Sequence, residues 1–225
     1  MNDKVVLLIG ASGLIGKNLY SFLKDHKYKQ IQINRKSLGH KSDLIKEIVS
    51  DLDSKAILAN IPSCDHVCIA TGTRLSLMQL LYIRKKDRLN FLEVDLKMPV
   101  GLAKAAFDKG ATEISIVSAV GANQNSKNFY LKVKGMLEKE ILNIGFDKVI
   151  IARPGHLLGT RDYKIAWEIK VYETISYFMA PMMVGFLKKF RNINAVNVAS
   201  SIVSLINKDF CGSHILEYSD IMRQD

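Results

Sequence analysis

The amino-acid sequence predicts an α/β chain: a doubly wound parallel sheet with a small carboxyl-terminal elaboration. Three observations carry that expectation. Short β-branched apolar runs alternate with segments of helical spacing through the first two thirds of the chain, the rhythm of strand–helix–strand crossovers. A glycine-rich turn stands between the first run and the first helix. Finally, 225 residues with 48% hydrophobic, 24% charged and only four prolines suffice to bury a sizeable core, which excludes disordered, collagen-like and low-complexity classes.

Taken in order, Lys4 to Ile9 is β-branched and apolar, as expected of a strand covered on both faces. Leu14 to Asp25 places Leu14, Ile15, Leu19, Phe22 and Leu23 on one side of a helix. Gln30 to Asn34 alternates as a second strand, Ile45 to Val49 makes a weak third, and Asp65 to Ala70 a clear fourth. Leu75 to Lys109 has helical spacing and is expected to bend or break near Pro99. Glu113 to Val117 is the fifth strand, Phe129 to Asn143 the next helix, and Lys148 to Arg153 the sixth strand, ended by Pro154 and Gly155. There the alternation stops. Residues 155–194, rich in aromatics and Met, are expected to form a lid or substrate-side insertion within one domain spanning 1–225. A helix from Val196 to Asn207 and a short strand from His214 to Tyr218 close the chain.

The 32 Lys and Arg against 22 Asp and Glu give a net charge of +10, which suits a polyanionic small molecule, an anionic membrane surface or nucleic acid. No nucleic-acid motif accompanies the charge, so no specific nucleic-acid partner is expected. Cys64, Cys68 and Cys211 are an odd count with no Cys-x-x-Cys pair, and the five histidines lack ligand spacing. Neither a disulfide framework nor a metal site is expected, and a cytoplasmic setting follows as the simplest reading. Val5 to Ile15 is interrupted by Gly10 and Gly13, unlike the core of a signal peptide. Ile175 to Leu187 contains Pro181 and falls short of the roughly 20 residues needed to span a bilayer.

The strongest local signal is Gly10-Ala11-Ser12-Gly13-Leu14-Ile15-Gly16. Glycine is required where the chain turns sharply, where backbone approaches a pyrophosphate, and where helix packs on strand; the helix N-terminus then offers its amides to the phosphates. A dinucleotide is the expected ligand. An acid about 20 residues further on would hold the ribose of NAD(H), but Asn34-Arg35-Lys36 stands there. A guanidinium and an ammonium suit a 2′-phosphate, so NADP(H) is preferred and NAD(H) remains possible. Asp51 and Leu52 after the third strand are placed to meet the adenine, and Ala70-Thr71-Gly72-Thr73 after the fourth to approach the cofactor.

Tyr-x-x-x-Lys occurs three times, at Tyr20/Lys24, Tyr82/Lys86 and Tyr130/Lys134; with eight tyrosines, this spacing is common by chance. Position decides for Tyr130, which opens the helix after the fifth strand, itself ending in Val117-Ser118. Residues four apart share a helix face, so Lys134 is expected to lower the phenol of Tyr130 from its ordinary value of about 10. Ser118, on a separate segment, would donate a hydrogen bond to a carbonyl oxygen gaining negative charge.

Together with Val117-Ser118-Ala119-Val120-Gly121-Ala122, Tyr130-Leu131-Lys132-Val133-Lys134-Gly135 and Arg153-Pro154-Gly155, the glycine turn makes the chain resemble the atypical short-chain dehydrogenase/reductases, most of all the Tat-interacting-protein oxidoreductase branch. The resemblance implies a Rossmann fold, NADP(H) binding and catalysis by Ser118, Tyr130 and Lys134. It also implies a nicotinamide ribose held by Lys134 and a nicotinamide end lined by Pro154 and Gly155. The chain departs from the pattern at Asp95, where related enzymes often carry the Asn of a proton relay, and at Ala119-Val120.

The expected function is NADP(H)-dependent oxidation or reduction of a small alcohol or carbonyl substrate by a monomer or homodimer. A cofactor-sensing binding protein and a nucleotide-sugar-type epimerase stand as alternatives. Within 170–191, Tyr172, Tyr177, Phe178, Met179, Met182, Met183, Phe186 and Leu187 precede Lys188, Lys189 and Arg191. That combination suits a substrate lid, a protein partner or a membrane surface equally.

Overall fold

The computed structural model describes residues 2–40, 42–51, 55–159, 183 and 185–223. Seven parallel strands form the central sheet: β1 (Asn2–Ile9), β2 (Tyr28–Asn34), β3 (Ile45–Val49), β4 (His66–Ile69), β5 (Glu113–Val117), β6 (Lys148–Ala152) and, skipping a small pair, β9 (Gly212–Leu216). Their order across the sheet is β3-β2-β1-β4-β5-β6-β9. The small pair is β7 (Leu157–Leu158) and β8 (Ile193–Asn194), which run parallel beside the sheet.

Alternation along the buried strands sends side chains to two cores, as a sheet covered on both faces requires. Leu7, Ile9, Val67, Ile69, Ile114, Ile116, Val149 and Ile151 face one core, which α2 (Lys55–Ala59), α5 (Met98–Asp108) and α6 (Phe129–Leu142) close. Val6, Leu8, Cys68, Ile150 and Ala152 face the other, closed by α1 (Leu14–Asp25) and α7 (Ala195–Asn207). Each fully buried Leu or Ile contributes about 1.5–3 kcal/mol.

The stretch expected to break at Pro99 breaks earlier. α3 (Leu77–Leu81) ends before an extended Tyr82, and helix resumes at Lys85–Asp87 and α4 (Arg88–Leu92). A π-helical turn at Glu93–Lys97 then leads without interruption into α5, with Pro99 in its first turn. Proline lacks an N–H and crowds the carbonyl four residues back; the wider π turn accommodates both. The last strand starts at Gly212 rather than His214, and Tyr218–Ile221 is a short helix, α8.

The amino edge of the sheet carries a charge cluster. Glu113, at the start of β5, accepts Lys4 Nζ at 2.8 Å and His66 Nδ1 at 2.9 Å, with Lys148 Nζ 3.4 Å away. His66 Nε2 lies 2.6 Å from Ser115 Oγ. Burial holds the His66 imidazole below its ordinary value. Burial alone would raise Glu113, but His66 and Lys4 carry its carboxyl down to about 2.

Both shifts carry one sign. Above pH 6.5 neutral His66 costs nothing, and below it the unfolded chain takes a proton that the fold refuses; Glu113 stabilises above pH 4.5 and loses that contribution as pH falls towards 2. Thermal unfolding should therefore show a midpoint that drops progressively below pH 6.5. At pH 7, Glu113→Gln should cost about 2 kcal/mol, or roughly 4–8 °C, with the deficit shrinking in acid.

Candidate active site

The carboxyl ends of β1, β4, β5 and β6 open into a cleft of about 340 Å³, at the small end of the range for ligand sites. Its wall beside β1 comes from the glycine turn: Ser12, Gly13, Leu14 and Ile15 line the cleft, with Lys17 next to them. Gly10 and Gly16 stand behind it and make the turn possible. Gly10 has a φ of +96°, and a Cβ there would meet the Ala70 carbonyl carbon at 2.9 Å; a Cβ at Gly16 would sit 2.0 Å from the Gly10 carbonyl oxygen. α1 begins at a glycine with no side-chain cap and no acid in its first turn, so its end offers amides and positive dipole to an anion.

From β4, Ala70, Thr71, Gly72 and Thr73 reach the cleft as expected, and Arg74 and Leu75 continue the wall. Ser118 enters from the end of β5, its amide tied to the Ala152 carbonyl at 2.8 Å. Pro154 and Gly155 follow β6, joined by His156. Tyr130 and Lys134 come one turn apart on α6, whose N-cap is Asn128. Asn128 Oδ1 accepts the Leu131 amide at 3.1 Å, while Nδ2 donates to the Leu80 carbonyl at 2.9 Å, tying α3 to the start of α6. At Gly135 a Cβ would come within 2.2 Å of the Gln124 amide, so α6 lies hard against the loop after Ser118.

The other two Tyr-Lys spacings are placed elsewhere: Tyr20 lies on α1, stacked on His40, and Tyr82 is exposed. Asp95, in the π turn, occupies the cleft floor. It is 2% exposed, binds Lys134 Nζ at 2.9 Å and accepts the Thr73 amide at 2.9 Å. Burial would push the Lys134 ammonium down, but Asp95 reverses this and the net shift is upward.

The phenol of Tyr130 corrects the sequence expectation. Burial pushes it up, Lys134 pulls it down and Asp95 pushes it up again, leaving it above its ordinary value rather than below. Around it, Thr71 Oγ1, Thr73 Oγ1 and Ser118 Oγ are buried with no hydrogen-bond partner among the described residues.

Arg35, Lys36 and Asp51 are exposed and stand outside the cleft lining, and Leu52 lies outside the described residues, as does most of 170–191. A carboxylate from β3 braces the loop after β2 instead. Glu47 accepts the Leu38 amide at 2.6 Å, Ser37 Oγ at 2.7 Å and Asn34 Nδ2 at 2.9 Å, and the Leu38 amide above all holds it below the usual carboxylate range. Its place in an alternating strand was visible in sequence; its reach across to the neighbouring loop was not. The glycine cradle, uncapped helix end, basic Lys17 and partnerless hydroxyls together fit a phosphorylated dinucleotide.

Residues 6–166 match the NAD-dependent epimerase/dehydratase family. The mitochondrial protein FMP52 of Kluyveromyces lactis is 34% identical over 160 residues, covering 69% of this chain and 68% of that protein. The Candida albicans FMP52 is 28% identical over 213 residues, 91% and 89% of the two chains. Among solved structures, MoeE5 in complex with UDP-glucose and NAD superposes with a TM-score of 0.68 at 13% identity, covering 98% of this chain and 80% of that one. UDP-N-acetylglucosamine 4-epimerase from Bacillus cereus gives 0.68 at 18%, covering 96% and 79%.

These relatives bear the name FMP52 rather than that of the Tat-interacting branch, so the likeness stands at the level of the wider family. The cytoplasmic setting is overturned: the relatives are named mitochondrial.

Removing an unsatisfied buried hydroxyl forfeits no hydrogen bond. Ser118→Ala and Thr73→Val should therefore leave the thermal midpoint unchanged or slightly raised, whereas Gly16→Ala should lower it by several degrees and abolish dinucleotide binding in calorimetry.

Proposed function

Because the chain belongs to the NAD-dependent epimerase/dehydratase family, we propose that it is a dinucleotide-dependent oxidoreductase interconverting a small carbonyl compound and its alcohol. The observation that carries this reading is the set of partnerless hydroxyls around Tyr130 and Lys134, above all Ser118 Oγ at 4% residue exposure. A buried polar atom without a partner costs stability, and a ligand oxygen removes that cost.

The Gly13 amide closes the turn on the Gly10 carbonyl at 2.9 Å, so the amides of Leu14 and Ile15 at the start of α1 would hold the diphosphate, and Lys17 adds charge. When bound, the dinucleotide supplies or accepts the hydride. Ser118 Oγ donates a hydrogen bond to the substrate oxygen, and Tyr130 Oη gives that oxygen a proton or takes one from it. Lys134, fixed by Asp95, holds the nicotinamide ribose. Pro154, Gly155 and His156 close the side of the cleft facing the substrate.

NADP(H) is the preferred cofactor in this proposal. Arg35 and Lys36 are exposed immediately after β2 and offer the charge that a 2′-phosphate needs, while Glu47, engaged by three hydrogen bonds to the 34–38 loop, is poorly available to a ribose hydroxyl. A nucleotide-sugar-type epimerase is the second reading, supported by resemblance to solved epimerases. Turnover of a UDP-sugar without net cofactor oxidation would favour it.

Tyr130→Phe should lower carbonyl turnover by about two orders of magnitude or more while leaving cofactor affinity intact, measured by steady-state kinetics and fluorescence titration. Arg35→Ala with Lys36→Ala should weaken NADPH binding about tenfold or more and leave NADH binding nearly unchanged.

A further inference from the structure

The carboxylate in the cleft floor that fixes Lys134 also offsets part of the charge that the tyrosine experiences. Asp95 and Lys134 form a 2.9 Å ion pair with side chains 2% and 6% exposed. Water cannot screen the pair at that depth, so the two charges act on their surroundings as a near-neutral unit. Asp95 is held in place independently of Lys134: its second oxygen takes the Thr73 amide at 2.9 Å, and its first lies 3.2 Å from where a Cβ would stand on Gly72. Glu138, one turn beyond Lys134, cannot replace it, being bound by Arg153 Nε at 2.9 Å and Nη2 at 2.6 Å. Among the described residues, the other titratable groups lining the cleft are Lys17 on α1, Arg74 after β4 and His156 after β6.

We propose that Asp95 is a positioning residue that offsets the ammonium charge of Lys134 beside Tyr130 and thereby moves the phenolate form of the site, which alcohol oxidation needs, to more alkaline pH. The proposal rests on the oxidoreductase reading above. In the reductive direction the carbonyl carbon would receive a hydride supplied by a reduced nicotinamide dinucleotide, which would be oxidised by two electrons. The carbonyl π pair moves to oxygen, which takes the phenol proton, and the phenolate regains a proton from solvent. Alcohol oxidation, and an epimerisation that begins with it, needs the phenolate first and so belongs to alkaline pH. The phenol is displaced upward first by its burial; Lys134 pulls it down, and Asp95 offsets part of that pull.

The test needs no substrate. Tyrosinate absorbance of the cofactor-free protein is followed through an alkaline titration, and the Tyr130→Phe curve is subtracted to isolate one phenol. In the wild type the Tyr130 difference signal should emerge above the ordinary value of about 10. In Asp95→Asn, which retains an acceptor for the Thr73 amide, it should move down by one pH unit or more, and the alkaline limb of alcohol oxidation should move with it. A wild-type phenol titrating below about 9 overturns the proposal even if the variant fails to fold, as does an Asp95→Asn phenol at or above the wild-type position. If the phenol shifts as stated but no carbonyl or alcohol is turned over, the electrostatic role of Asp95 stands and the oxidoreductase reading falls.

Discussion

The crevice exists because the chain leaves the middle of its sheet in opposite directions. β1 is followed by strands laid to one side, β2 and β3, and β4, β5 and β6 are laid to the other. The connections after β1 and β4 must therefore part company, and the space between them is where ligands bind in open parallel sheets. This arrangement demands that the backbone after β1 reverse at once into α1 while nearly touching the backbone after β4. Gly10 and Gly16 meet that demand: a Cβ on either would collide with carbonyl groups of Ala70 or Gly10.

The second constraint is electrostatic. Burying an ammonium and a carboxylate together costs desolvation that their mutual attraction only partly offsets, and two apolar side chains of similar volume would serve stability as well. The Asp95–Lys134 pair is thus better explained by its surroundings than by its strength. It sits where a π turn widens the helix ahead of Pro99 and beside the loop carrying Thr73. The same few residues join α5, α6 and the end of β4 into one rigid frame around Tyr130.

Much of this was legible in the chain itself. Strands covered on both faces are continuous apolar runs, so β1, β4, β5 and β6 could be read from composition, and the glycine turn announced the first crossover. The order of Ser118, Tyr130 and Lys134 along an alternating pattern implied convergence at one sheet edge, and the three do line one cleft. What stayed hidden depends on contacts between segments distant in sequence. Lys134 was expected to lower the phenol, and it does pull it down, but spacing shows neither the burial of the ring, which outweighs that pull, nor the carboxylate 39 positions back that offsets part of it. Glu47 was missed for the same reason, and the helix break at Tyr82 was masked by the louder signal of Pro99. The compartment was misread because counting thiols separates oxidising from reducing surroundings and goes no further.

A crystal structure grown with NADPH tests the account most directly. It should show the diphosphate against the amides of Leu14 and Ile15, and the nicotinamide ring beside Ser118 Oγ and Tyr130 Oη with its ribose on Lys134. Crystals that exclude the dinucleotide at saturating concentration, or a ring seated away from those three side chains, would contradict it.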